Sequence, residues 1–225
     1  METKSTGDYE ETTTNYSFRW WHLFLSYILI YMCITWLTNI SILTESYYYS
    51  AFGTQIGSDR VAALIEMNRK FQWIGYIVFP LLLLIKWLLL SAIIYSGLFL
   101  FNQNISFNSC FKIIMVAELA VVAAALIKLL YFLFIHHPET TQDIQFFYPL
   151  SVTQLLNLKQ LPAYLIYPLQ QFNLFEVAYW LLIAAGIQAH IQKSFSESLK
   201  IVASSYGVAL SIWIVFVVFI QVQFT

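Results

Sequence analysis

Trp20 to Ile42 is a run of 23 residues without a single Asp, Glu, Lys or Arg. A hydrocarbon core of about 30 Å is crossed by about 20 helical residues, so this run alone predicts a membrane span. Trp20, Trp21 and His22 suit the interface at its start. Four more apolar runs follow, at residues 71–101, 111–135, 172–189 and 201–220. Lipid offers backbone N–H and C=O groups no partners, so each run must close its own hydrogen bonds as a helix. None shows the short alternating segments of a barrel. The expected fold is therefore all-α: a polytopic integral membrane protein with five transmembrane helices and short amphipathic or interfacial segments. A polar tail over residues 1–18 is expected to be flexible and to precede a single transmembrane domain over 19–222. That tail is not the short basic start of a signal peptide, so the first span is expected to stay as an anchor.

Composition agrees. Lys plus Arg is 11 and Asp plus Glu is 12 in 225 residues, 10% charged in all. Soluble domains carry about 25%. So few charges cannot cover a water-facing surface, and lipid must cover part of this one. A net charge of −1 offers no basic face to nucleic acid, which is excluded as a partner. Cys33 and Cys110 lie in apolar stretches and read as small buried hydrophobes rather than a disulfide framework.

The links differ. Asn102–Cys110 and His190–Lys200 are short, so each joins an antiparallel hairpin. Pro80 removes a backbone donor inside the second run and is expected to kink it or to end a first segment there. Ser58 reads as an N-cap, and Val61, Leu64, Ile65 and Asn68 follow helical spacing, which predicts a short amphipathic helix leading into the second span. Residues 138–171 are broken by Pro138, Pro149, Pro162 and Pro168. Leu155, Leu156, Leu158 and Leu161 could line one side of a short helix after Ser151. With so little charge this segment is expected to lie on the bilayer or against the spans, with a re-entrant path as the second reading. Five spans put the termini on opposite sides. With the N-terminus inside, Lys4, Arg19, Lys112, Lys193 and Lys200 face inward, and Arg60, Arg69, Lys70 and Lys159 outward. That is five against four, nearly no signal for the positive-inside rule, so the charges alone do not decide the orientation.

Lys86, Glu118, Lys128 and Glu176 fall within spans. Ionisable groups there are expensive and point by default to a site. At about 1.5 Å per residue, Lys128 and Glu176 differ in depth by roughly 7 Å, which long side chains could close; a Lys128–Glu176 pair is the expectation. Lys86 lies near mid-membrane with Glu118 about 10–12 Å nearer the short second loop by the same rise, so Lys86 could instead snorkel or bond backbone freed by Pro80. The readings are an ion or proton path, or structural pairing between helices or burial in a partner subunit.

No metal or cofactor is expected. His136 and His137 are adjacent and point about 100° apart on a helix, and His190 has no ligand spacing around it. No nucleophile elbow, zincin motif or phosphate loop occurs, so no enzyme is expected. The strings Asn15-Tyr-Ser17, Asn39-Ile-Ser41 and Asn104-Ile-Ser106 match glycosylation acceptors by letter only. Ala117, Ala120, Ala123, Ala124 and Ala125, then Ala178, Ala184, Ala185, Gly186 and Ala189, then Ala203, Ser204, Ser205, Gly207 and Ala209, let helix backbones approach. The third, fourth and fifth spans are expected to form the tight core, with the bulky first span at its edge or against a partner.

The run Phe172-Asn173-Leu174-Phe175, followed by Tyr179-Trp180-Leu181-Leu182-Ile183-Ala184-Ala185-Gly186, a polar link with Lys193 and Lys200, and a last apolar span, resembles the C-terminal part of bacterial Yip-type (Rab/Ypt-interacting) membrane proteins. The resemblance covers about residues 71–222. The Asp-Leu-Tyr-Gly-Pro signature of eukaryotic members is absent, so no Rab-binding role carries over. The resemblance implies a five-helix domain in the inner (cytoplasmic) membrane, with the N-terminus in the cytoplasm. It also implies a non-catalytic role in membrane organisation, or as an accessory or scaffolding subunit that binds other membrane proteins. The alternative is a small transporter or channel subunit that uses the four intramembrane charges.

Overall fold

The computed structural model describes residues 20–158, 161–191 and 193–224. The polar tail over 1–18, Arg19 and Lys159 lie outside the described residues. Within them the chain is helical, with no strand beyond an isolated antiparallel bridge between Ser151 and Asn173. Its elements are α1 (Trp20–Ser41), α2 (Glu45–Ile56), α3 (Ser58–Leu100), α4 (Phe107–Phe134), α5 (Thr141–Phe146), a 3₁₀ turn (Val152–Leu155), α6 (Ala163–Gln171), α7 (Leu174–Gln188), α8 (Phe195–Val202) and α9 (Val208–Phe224). Residues Ala203–Gly207 form a π-helical turn that joins α8 to α9 in one unbroken rod.

Four helices are long and apolar enough to cross a membrane: Trp20–Ser41, Ser58–Leu100, Phe107–Phe134 and Phe195–Gln223. This corrects the expected five. The fourth run folds as α7, only 15 residues, about 22 Å at 1.5 Å per residue. It starts late because Asn173 caps it, its Oδ1 accepting from the backbone N–H of Glu176 at 2.7 Å, a strong local stop on further helix toward its N-terminus. The link of Phe172 and Asn173 between α6 and α7 is held extended instead. Val152 N–H donates to Phe172 O, and Leu174 N–H to Leu150 O.

Two further expectations change. The amphipathic lead-in is not a separate helix: α3 runs unbroken for 43 residues through Pro80. Its cap is Gly57, at φ 82°, a left-handed conformation that costs glycine little; Ser58 is the first helical residue. Val61 is fully buried, and Asn68 donates to Tyr48 OH of α2 at 2.9 Å, so α2 folds back along this extension. After Ser151 there is a single 3₁₀ turn, and Leu155 is exposed.

Helix directions follow from side-chain pairs. Trp20 meets Phe111, and Tyr31 meets Glu118, so α1 and α4 run parallel. Tyr95 meets Phe107, and Lys86 meets Glu118, so α3 runs against them. Ile113 of α4 packs at Gly186 of α7, while Ser205 packs at Gly97 near the end of α3. The rod from Phe195 therefore starts at the end of the bundle where α1 and α4 start, and leaves at the opposite end. Return from the end of α4 to the start of α8 is made by α7 and the irregular segment before it.

The core centres on α4, whose buried residues include Ile114, Met115, Ala117, Ala120 and Ala124. Against it pack Trp87, Ile94 and Leu98 of α3, Ile183, Ala184 and Ile187 of α7, and Val202 of α8. A Cβ at Gly186 would lie 2.7 Å from Ile113 Cγ2, so only glycine lets α7 come this close. The small-residue stripes thus do pack, but α3 belongs to the same core and α9 buries none of its described residues. Helix α1 sits at the edge, with Tyr27 its one buried residue.

Candidate functional site

Helices α3 and α4 form a hairpin around residues 101–106. Lys86 lies fourteen residues before Leu100, and Glu118 eleven after Phe107. The depth difference is only about 4.5 Å by the helical rise, within the reach of a lysine. Lys86 Nζ lies 2.9 Å from Glu118 Oε1 and 2.8 Å from Oε2. Trp87 Nε1 donates to Oε2 at 3.0 Å, and Tyr31 OH to Oε1 at 3.0 Å. Each carboxylate oxygen thus accepts twice, which fills the four lone-pair sites of an ionised carboxylate. The Glu118 side chain has no exposed surface, whereas that of Lys86 is 40% exposed. One turn away, Tyr27 OH donates to Met115 O at 2.8 Å. Three helices are therefore tied at one level by a closed set of polar contacts.

The expected Lys128–Glu176 pair does not form. Lys128 Nζ donates to Ile144 O at 2.7 Å, because α5 folds back beside α4 and brings a free helix-end carbonyl to it. Glu176 Oε1 accepts from Trp180 Nε1 and Tyr206 OH, both at 2.8 Å. Trp180 is one turn along the same helix, and Tyr206 sits in the π-helical turn. Each of the four in-span charges thus has partners, but only Lys86 and Glu118 pair with each other. The sequence signal for that pair was available: depth counted outward from the short hairpin link, rather than from the middle of each apolar run, places the two side by side. Tyr31 and Trp87, which complete the set, carry no such signal, since an aromatic in a span usually just packs.

His136 lies near the Tyr131 and Phe132 rings, and His190 Nδ1 lies 2.8 Å from Gly186 O. Among the described residues no three of His, Cys, Asp or Glu come together.

A feature that sequence reasoning missed lies on the α7 side. Because α7 is short, the space between the second half of α4 and the first half of α9 is not filled by helix. It is a cavity of about 1210 Å³. Leu130 and Phe134 line it from α4, Val177 and Leu181 from α7, and Leu210 and Ile214 from α9. The segment 149–155 forms a strap across one wall. Glu176 and Asn173 reach this wall too; Glu176 Oε1 is engaged by Trp180 and Tyr206, and Asn173 Oδ1 by the α7 N-terminus.

Comparison with protein family models, with curated proteins and with solved structures finds no match to this chain.

Proposed function

We propose that this chain is a non-catalytic integral membrane protein that organises the bilayer or serves as an accessory, scaffolding subunit to other membrane proteins. One observation carries the reading. Helix α1 crosses as a full 22-residue span yet buries only Tyr27, leaving Leu25, Leu29, Trp36 and Ile40 exposed. A helix held by one edge through Tyr27 and Tyr31 offers the rest of its surface to lipid or to a second helix. The saturated Glu118 supports the same reading, since a carboxylate with every lone pair taken has nothing left to offer a passing ion. The resemblance of residues 71–222 to Yip-type proteins also fits, and with it we place the chain in a bacterial inner membrane with its N-terminus in the cytoplasm.

The test is purification of the full chain in mild detergent, with mass spectrometry of what accompanies it. A fixed partner, lost on Leu29→Ala with Trp36→Ala, is the expected result. A chain that purifies alone, or keeps its partner in that variant, overturns the scaffold reading.

The second reading, a transporter or channel subunit, is favoured by the 40% exposure of the Lys86 side chain, a basic side chain partly open to its surroundings inside a span. Ion flux into vesicles bearing the protein, abolished by Lys86→Met, would establish it. Flux equal to that of empty vesicles would remove it.

A further inference from the structure

We infer that the cavity under α7 is a binding site for an acyl chain of a membrane lipid, an inference that goes beyond the scaffold role and does not depend on a protein partner. The first argument is depth. Its walls at Leu130 and Phe134, and at Leu210 and Ile214, belong to helices long and apolar enough to cross a membrane, so the cavity sits among lipid tails and not in water. The second is size. At about 1210 Å³ this open space exceeds the roughly 300–1,000 Å³ of ordinary ligand pockets, room enough for a long flexible chain.

The third argument is chemistry. The lining is mostly aliphatic and aromatic, and among the polar atoms that reach it Glu176 Oε1 and Asn173 Oδ1 already have partners. A long apolar occupant therefore matches most of the wall, which offers water few partners. The fourth is shape. Leu130, Val177 and Leu181 line the cavity and are also exposed at the protein surface, so it opens sideways toward the bilayer. A partner helix is a rod about 10 Å across. It would have to continue along the same groove, whose other half α7 already fills against Ile113 and Gly207. A flexible chain can enter from the side and stop where α7 begins.

The test uses the full-length protein in phosphatidylcholine vesicles that contain a phosphatidylcholine with a diazirine on one acyl chain. After photolysis, the labelled residues are mapped by mass spectrometry. Labelling at Leu130, Val177 and Leu210 is expected to exceed that on the exposed α3 face at Leu81 and Leu89, which sees only bulk lipid. In Val177→Phe with Leu210→Phe, which puts two rings into the space, the excess should fall while the α3 labelling stays. A cavity labelled no more than the α3 face in the unmodified protein overturns the proposal, whether or not the double variant folds. So does an excess that the two rings leave unchanged. Co-purification of a partner bears on the scaffold reading alone, so the two failures are separable.

Discussion

Glu118 and Glu176 are both carboxylates within apolar helices, and their surroundings differ in kind. Around Glu118 the bundle is solid: three helices close on it, an ammonium neutralises it, and two neutral donors complete its shell. Around Glu176 the bundle is hollow: its partners are neutral, one lies on its own helix, and a cavity lies at its side. Pairing across helices lets a charge serve as a cross-tie. Glu176 reaches across to Tyr206 as well, but meets no opposite charge there, and the cavity adjoins it.

This contrast can be broken first at Glu118. Lys86→Met leaves the fully buried Glu118 carboxylate without its counter-charge, and removing one partner of a buried pair costs about 3–5 kcal/mol. The expected readout is a large drop in the thermal midpoint of the detergent-solubilised protein. Lys86→Met with Glu118→Leu should recover much of it, because apolar replacement of both partners is often near neutral. A single variant as stable as the parent would mean that the pair does not tie the helices.

The α4–α7 contact should respond next. Gly186→Leu drives a side chain into Ile113, and overpacking costs about 1–3 kcal/mol. Ile113→Ala in the same chain should restore part of the lost stability. Failure of that rescue would place the damage elsewhere than in this contact.

On the hollow side the effects should be smaller. Glu176→Gln keeps an oxygen to accept from Trp180 and Tyr206, so the expected loss is about 1 kcal/mol, the size of a typical hydrogen bond. If it equals the loss from Glu118→Gln, measured in parallel, the distinction between the two carboxylates fails.

The smallest effect lies outside the spans, at the start of α5. Thr140 and Asp143 form a reciprocal capping box. Burial raises the Asp143 carboxyl, but the Thr140 N–H and hydroxyl and the Glu139 N–H outweigh it and hold it below the usual range. A depressed folded value means stability that is present above the unfolded value, about 3.9, and lost as pH falls through the folded one. Asp143 is near the surface, so the contribution is a few tenths of a kcal/mol at most. Hydrogen exchange at the first amides of α5 should quicken below about pH 4 in the parent but not in Asp143→Asn.

Much of this was legible in the sequence, and what was missed has physical causes. Apolar run length identifies four spanning helices, because lipid leaves the backbone no alternative. It overstates the fourth, because hydrophobicity does not register where a helix is capped. Asn173 with Glu176 three residues on is a start signal in plain view, yet Phe172 before it reads as more of the same run. Depth counting failed for Lys128 and Glu176 because the partner that reaches Lys128 is a backbone carbonyl at Ile144, and no spacing rule anticipates which loop folds back. The cavity was invisible for a related reason: a sequence records the residues that fill space, and this space exists because a helix stops short.

The π-helical turn at Ala203–Gly207 has a consequence for phase. It takes up one residue more than an α-helical turn would, so the faces of α8 and α9 are not in simple continuation. Were the same residues wound as regular α-helix instead, everything after them would turn by about 100°, one residue's worth. Trp213 would swing away from Tyr167, whose hydroxyl accepts from its indole at 2.8 Å. Leu210 and Ile214 would leave the cavity wall for another azimuth. The extra residue thus sets the angular address of the last helix, independently of how firmly α8 is anchored.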